Sequence, residues 1–286
     1  MVKRIIVGIC ILLLTLLSVS YFVACDKEDK TSEGLEFTLC TDGNSYLVSG
    51  RGACKDSCIV IPSSYEDLPV TGVKASAFYG DSIKSVVLPE SIQTIGIWAF
   101  KNCKYLSSVH LPEGLTTILS GAFSGCERMR EIEFPSTLTS IGSKAFQLCR
   151  NLTSVIIPDG VKTIGDEAFS GCYNITTLVL GKELSTLGKA AFKSCWSIRD
   201  IEITGKVTRI AESTFEDCRA LSSFVLSPNV RCIDAWTFKE CNELSTLTYS
   251  GTKEKFTRIL LRENWRINSS VKEVVCTDGV IELDPK

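Results

Sequence analysis

Between Leu88 and Thr248, apolar and polar positions recur with a period of 23 residues, seven times, without insertion or deletion. Phenylalanine falls at 100, 123, 146, 169, 192, 215 and 238, and cysteine follows three residues later each time. A fixed period of this size marks a solenoid, in which each repeat forms one coil and buries its apolar face against its neighbours. The unit reads Leu88-Pro89-Glu90-Ser91-Ile92, then Ile95-Gly96, Ala99-Phe100, Cys103, Leu106 and Val109. The Leu106 position is filled by Met129, Leu152, Ile175, Ile198, Leu221 and Leu244 in later units, and the Val109 position by Ile132, Val155, Leu178, Ile201, Phe224 and Leu247. The spacing Leu-x-x-Val-x-Leu-Pro predicts a short strand with alternate residues pointing inward. Gly96, Gly142, Gly165 and Gly188 predict a second turn of positive φ, which glycine adopts at little cost, and Ala-Phe fills the far side of the coil.

The pattern fails at both ends, where a solenoid has to cover its open core. Residues 36–66 read as an N-terminal cap. Phe37-Thr38-Leu39 and Tyr46-Leu47-Val48 flank the turn signal Asp42-Gly43-Asn44, and Cys58 to Pro62 is a strand leading inward. Repeats then occupy 67–248, beginning with an irregular coil around Phe78. Residues 249–286 form a C-terminal cap containing an amphipathic helix from Thr252 to Leu260, Trp265, and a strand from Val271 to Cys276.

Residues 1–24 are a targeting segment. Lys3 and Arg4 precede an almost unbroken apolar run from Ile5 to Leu17. Phe22-Val23-Ala24-Cys25 resembles the lipobox of bacterial lipoproteins, which implies cleavage before Cys25 and lipidation of that residue. The alternative is an uncleaved N-terminal anchor, since the run approaches the ~20 residues that span a bilayer. Residues 25–35 are polar and predict a disordered tether. Within it, Lys27-Glu28-Asp29 resembles the short signal that sends Bacteroidetes lipoproteins to the outer cell surface.

The repeat itself resembles the BspA-like class of leucine-rich repeats, whose signature is close to Leu-Pro-x-x-Leu-x-x-Ile-Gly-x-x-Ala-Phe-x-x-Cys-x-x-Leu-x-x-Ile. The resemblance covers about residues 66–248. It implies a right-handed leucine-rich-repeat superhelix with a parallel β-sheet along one face, a β-rich N-terminal cap and a small α/β C-terminal cap. Eight coils at ~4.8 Å per strand give a body roughly 35–40 Å long. Later units soften the signature: Thr214 and Thr237 replace alanine, and Ala211 and Asp234 replace glycine.

Charge and chemistry narrow the function. Net charge is −2, with no basic face to neutralise phosphates, so nucleic acid is not an expected partner. A single histidine, His110, leaves no His cluster for a metal and no spare general base. Phosphate loops and dinucleotide fingerprints are absent from the sequence. Cysteines 23 residues apart do not match the close pairs of zinc sites, and they read as small buried hydrophobes. Cys40, Cys54 and Cys58 leave room for a disulfide in the N-terminal cap after export, while Cys232 and Cys276 have no assigned partner. The expectation is a chain without catalytic residue, metal or cofactor.

Surface therefore carries the function. The strand face presents Ser107, Ser108 and His110, then Arg130, Glu131 and Glu133, then hydroxyl-rich coils, then Arg199, Asp200 and Glu202. Tyr173 and Trp196 share one position in consecutive coils, where stacked aromatics suit a sugar or a partner's apolar side chain. The expected role is a non-enzymatic, lipid-anchored outer-membrane protein, exposed at the cell surface, whose solenoid binds a host or bacterial surface protein. The resemblance adds that some members of the class act as adhesins. The alternative is a glycan-binding accessory lipoprotein of a polysaccharide uptake system.

Overall fold

The structure, a computed structural model, describes residues 30–284, so the targeting segment and Cys25 lie outside it. From Thr31 onward the chain forms one unit, a β-solenoid most of whose coils carry two short strands. The first set consists of the Thr-Ile pairs that precede the glycine position: Thr94–Ile95, Thr117–Ile118, Ser140–Ile141, Thr163–Ile164 and Thr186–Leu187. They stack in parallel at the repeat spacing, Ile141 opposite Ile118 and Ile164 opposite Ile141. Among the described residues this is the longest sheet, with nine strands including those of the N-terminal cap. Arg209–Ile210, Cys232–Ile233 and Leu260–Leu261 continue the same position as a separate three-stranded sheet.

The Leu-x-x-Val-x-Leu strands occupy the other side in three shorter sheets. Cys58–Val60, Ser85–Val87 and Ser108–His110 form the first, and Ser154–Ile156 pairs with Thr177–Val179 in the second. Asp200–Glu202, Ser223–Leu226, Thr246–Tyr249, Glu273–Cys276 and Gly279–Glu282 form the third. Glu131 to Pro135 carries no strand. There Phe134 fills the Leu88 position and lies half-buried, edge-on to Phe146 at 5.5 Å. Two-residue strands were not visible in the sequence, because a pair as short as Thr-Ile has no room to show alternation.

A column of fully buried phenylalanines runs through the core. Rings 78, 100, 123, 146 and 169 stack nearly parallel at 5.2 Å, and 169 to 192 at 5.3 Å. Spacing opens to 5.9 Å at Phe215 and 6.2 Å at Phe238. Phe224, which replaces an aliphatic residue, lies edge-on to both of those rings, at 5.1 and 4.8 Å. Trp265 ends the column, edge-on to Phe238 at 6.0 Å.

The glycines correct the sequence expectation. None of Gly96, Gly142, Gly165 and Gly188 has positive φ. A Cβ on Gly165 would instead lie 2.4 Å from the backbone nitrogen of Ser143 in the preceding coil, so glycine there permits close coil stacking. Left-handed conformations fall two residues before and two after each phenylalanine, at Lys144 and Leu148 or Ser213 and Asp217, for example. Such residues each cost ~1–2 kcal/mol in isolation. Bonds across the coils hold them: Lys144 N donates to Asp166 O at 2.8 Å and Leu148 N to Ser170 O at 2.8 Å.

At the N-terminus, Glu36–Leu39 and Tyr46–Gly50 pair antiparallel, and the second of these joins the long sheet beside Leu68–Val73. Cys58 is disulfide-bonded, but Cys40 and Cys54 are free thiols, so its bond is to neither of them. Cys232 and Cys276 are also free. At the C-terminus the helix is shorter than expected, Lys253–Thr257, with the Thr252 side chain accepting from Lys255 N. It stops early because Leu260–Leu261 is drawn into the ladder beside Cys232–Ile233.

Candidate interaction surface

The expected site residues fall into two groups that the fold keeps apart. Glu131 and Glu133 sit on the segment of their coil that forms no strand, exposed, and Asp200 and Glu202 are exposed on the strand three coils further on, ~14 Å away at the parallel-strand spacing. None of the four forms an ion pair within 4 Å among the described residues. His110 ends its strand exposed, in the same outward position.

Several carboxylates elsewhere on the solenoid are partnered from coil to coil. Glu167 meets Lys144 at 3.4 Å, Glu212 meets Lys189 at 3.3 Å, and Glu183 meets Lys206 at 2.6 Å. Glu216 lies between Lys193 at 2.9 Å and Lys239 at 3.1 Å. Burial pushes its carboxyl up, but hydrogen bonds from Lys193, Ser213 and Lys239 outweigh burial and hold it below the usual carboxylate range. The shallow depression bounded by Glu167, Lys189, Lys193 and Glu212 is thus lined by charges already neutralised within the chain.

Tyr173 and Trp196 stack face to face, with ring centroids 4.1 Å apart and planes 12° apart. Their position repeats every coil, and its flanking occupants are arginines. Arg150 lies over the Tyr173 ring at 5.8 Å and Arg219 over Trp196 at 4.6 Å. A four-layer column results, guanidinium, phenol, indole, guanidinium, in which both outer ring faces are occupied. Asp217 locks one end. Its carboxylate accepts from Trp196 Nε1 at 2.8 Å, Ser194 Oγ at 3.0 Å and Arg219 Nε at 2.7 Å. Burial pushes the Asp217 carboxyl up, and these three donors outweigh it and hold the group low. Sequence reasoning named the two aromatics and missed the two arginines, although the same 23-residue step from Tyr173 and Trp196 leads to both.

The cysteine column is internal and free, as its spacing suggested, with one role the sequence did not show. Each Sγ donates to the carbonyl oxygen of the phenylalanine in the preceding coil, from Cys103 to Phe78 at 2.9 Å through Cys241 to Phe215 at 3.1 Å. Burial raises the thiols far above their ordinary value, to about 12 at Cys149, so they remain protonated donors. Among the described residues no group of three His, Cys, Asp or Glu side chains is placed to hold a metal ion, and no helix is long and apolar enough to cross a membrane.

Known proteins share the architecture. The family profile described as BspA type leucine rich repeat region matches residues 71–195 and 139–264, in six copies. A leucine-rich repeat protein from Bacteroides ovatus superposes with a TM-score of 0.70 at 21% identity, covering 88% of this chain and 72% of its own. The leucine-rich repeat protein of T. pallidum superposes with a TM-score of 0.57 at 26% identity, covering 76% of this chain and 91% of its own. No curated relative matches the sequence.

Proposed function

The chain belongs to the BspA-type leucine-rich repeat family, and from that membership we propose a non-enzymatic cell-surface lipoprotein whose solenoid is a scaffold for protein interaction or adhesion. One observation carries the interaction role. The strand face exposes Glu131, Glu133, Asp200 and Glu202 without ion-pair partners among the described residues, while Lys–Glu pairs elsewhere tie neighbouring coils together. Exposed, unneutralised charge on a rigid array gains by meeting a complementary surface and adds little to folding. Anchoring through Cys25 and export to the outer surface rest on the lipobox-like Phe22 to Cys25 and on Lys27-Glu28-Asp29.

The proposed test replaces the four carboxylates with Gln or Asn and measures attachment of cells bearing the protein to surfaces coated with protein ligands. Attachment should fall while the melting temperature stays within about 1–2 °C of wild type, since exposed unpaired charges contribute little stability. Unchanged attachment would remove the strand face from the interaction. The glycan-binding alternative stands second. It depends on Tyr173 and Trp196, whose outer faces are under Arg150 and Arg219 and offer a sugar only ring edges. Glycan-array binding that disappears in Trp196→Ala would reverse that order.

A further inference from the structure

The two arginines that cap the aromatic column are not equivalent. Arg219 is neutralised by Asp217, whereas Arg150 stacks on Tyr173 with no carboxylate within ion-pair distance among the described residues. A second arginine, one coil earlier, stacks the other way, on a ring of the coil before it. Arg128 lies over the exposed Tyr105 ring at 4.9 Å, and Arg130 is exposed in the same loop; neither forms an ion pair among the described residues. The loop and Arg150 belong to adjacent coils joined by hydrogen bonds. Asn151 Nδ2 donates to Glu127 O at 2.7 Å, and Thr153 N donates to Arg130 O at 2.9 Å. Three unpaired guanidiniums therefore share one corner of the solenoid, two of them set in place by aromatic rings. A guanidinium stacked on a ring keeps its N–H edge free for bidentate contact with a carboxylate, and little side-chain freedom remains to be lost.

Charge beside this corner selects the partner. Glu131 and Glu133 follow Arg130 directly, exposed and equally unpaired. A long polyanion laid across the arginines meets these two carboxylates and is repelled. A protein segment carrying acidic residues, with basic residues beside them, satisfies both signs. We propose that the corner formed by Tyr105, Arg128, Arg130, Arg150 and Tyr173 is the principal docking site of the solenoid, and that it receives an acidic segment of a protein partner flanked by basic residues. This rests on the interaction role proposed above and names its seat and the chemistry of its partner.

The test uses the purified full-length protein in detergent and three probes: a peptide with a central glutamate run flanked by lysines, an all-glutamate peptide of equal length, and heparin. Fluorescence anisotropy should rank the mixed peptide first. Its affinity should fall about tenfold in the double variant Arg128→Gln/Arg150→Gln and fall again with added salt. Arg219→Gln, whose guanidinium is already paired, should leave it unchanged. Glu131→Gln/Glu133→Gln should improve binding of the all-glutamate peptide. Circular dichroism melts establish that each variant is folded. Tightest binding of heparin, lost in the arginine variant, would overturn the assignment in favour of a polyanion site. Equal binding of the mixed peptide by wild type and the arginine variant, or no binding of any probe, would overturn it outright. Cell attachment lost in the carboxylate variant but retained in the arginine variant would leave the scaffold role standing and remove its seat from this corner.

Discussion

Cys149 Sγ donates to the carbonyl oxygen of Phe123 one coil back, 3.2 Å away, and that oxygen also accepts from Cys126 N at 3.1 Å. The thiol thus ties neighbouring coils together while filling a small buried space. Its protonated state follows from burial, which lifts it to about 12.

Native-state labelling with a thiol reagent checks this. The seven column thiols should stay silent, whereas Cys40 and Cys232, the two partly exposed free thiols among the described residues, should react. Column thiols should appear only on unfolding. Cys149→Ala should cost about 1–2 kcal/mol, from a small cavity and one lost hydrogen bond. Rapid native labelling of Cys149 would contradict its placement.

Phe169 stands mid-column, stacked at 5.2 Å on Phe146 and 5.3 Å on Phe192, and is fully buried. Phe169→Ala should destabilise the solenoid by about 3–5 kcal/mol, because stacked coils cannot collapse around the void. An unchanged chemical-denaturation midpoint would show that the ring is not in the core.

Much of this was legible in sequence because the period is unbroken: one residue per coil per position fixes the phenylalanine and cysteine columns before any coordinate is known. The same step leads from Tyr173 and Trp196 to Arg150 and Arg219, so the capping guanidiniums were readable and were overlooked. The glycines were misassigned because a sequence does not distinguish glycine needed for φ from glycine needed for clearance, and Gly165 is the second kind. Left-handed backbone at Lys144 and Leu148 had no local signal, since it is imposed by bonding to the next coil. That Glu131 and Glu133 lie outside any strand depended on the local break beside Phe134, invisible at the level of the motif.

Glu216 predicts a pH dependence. Its folded carboxyl titrates below the unfolded value of about 4.3. As pH falls, the unfolded chain takes up this proton first, so stability present above about pH 4.3 is lost as pH drops through the folded value. The melting temperature of Glu216→Gln should therefore fall less steeply than that of wild type between about pH 4.5 and 3. Parallel curves would show that the Lys193–Glu216–Lys239 bridge contributes nothing to this slope.

The most direct measurement of the central claim is surface labelling and protease shaving of intact cells, wild type against Cys25→Ala. An outward-facing lipid-anchored scaffold predicts a wild-type protein that is labelled and shaved, and a variant lost from the membrane fraction. A wild-type protein protected from both reagents on intact cells would place the solenoid inside the envelope and contradict the surface role.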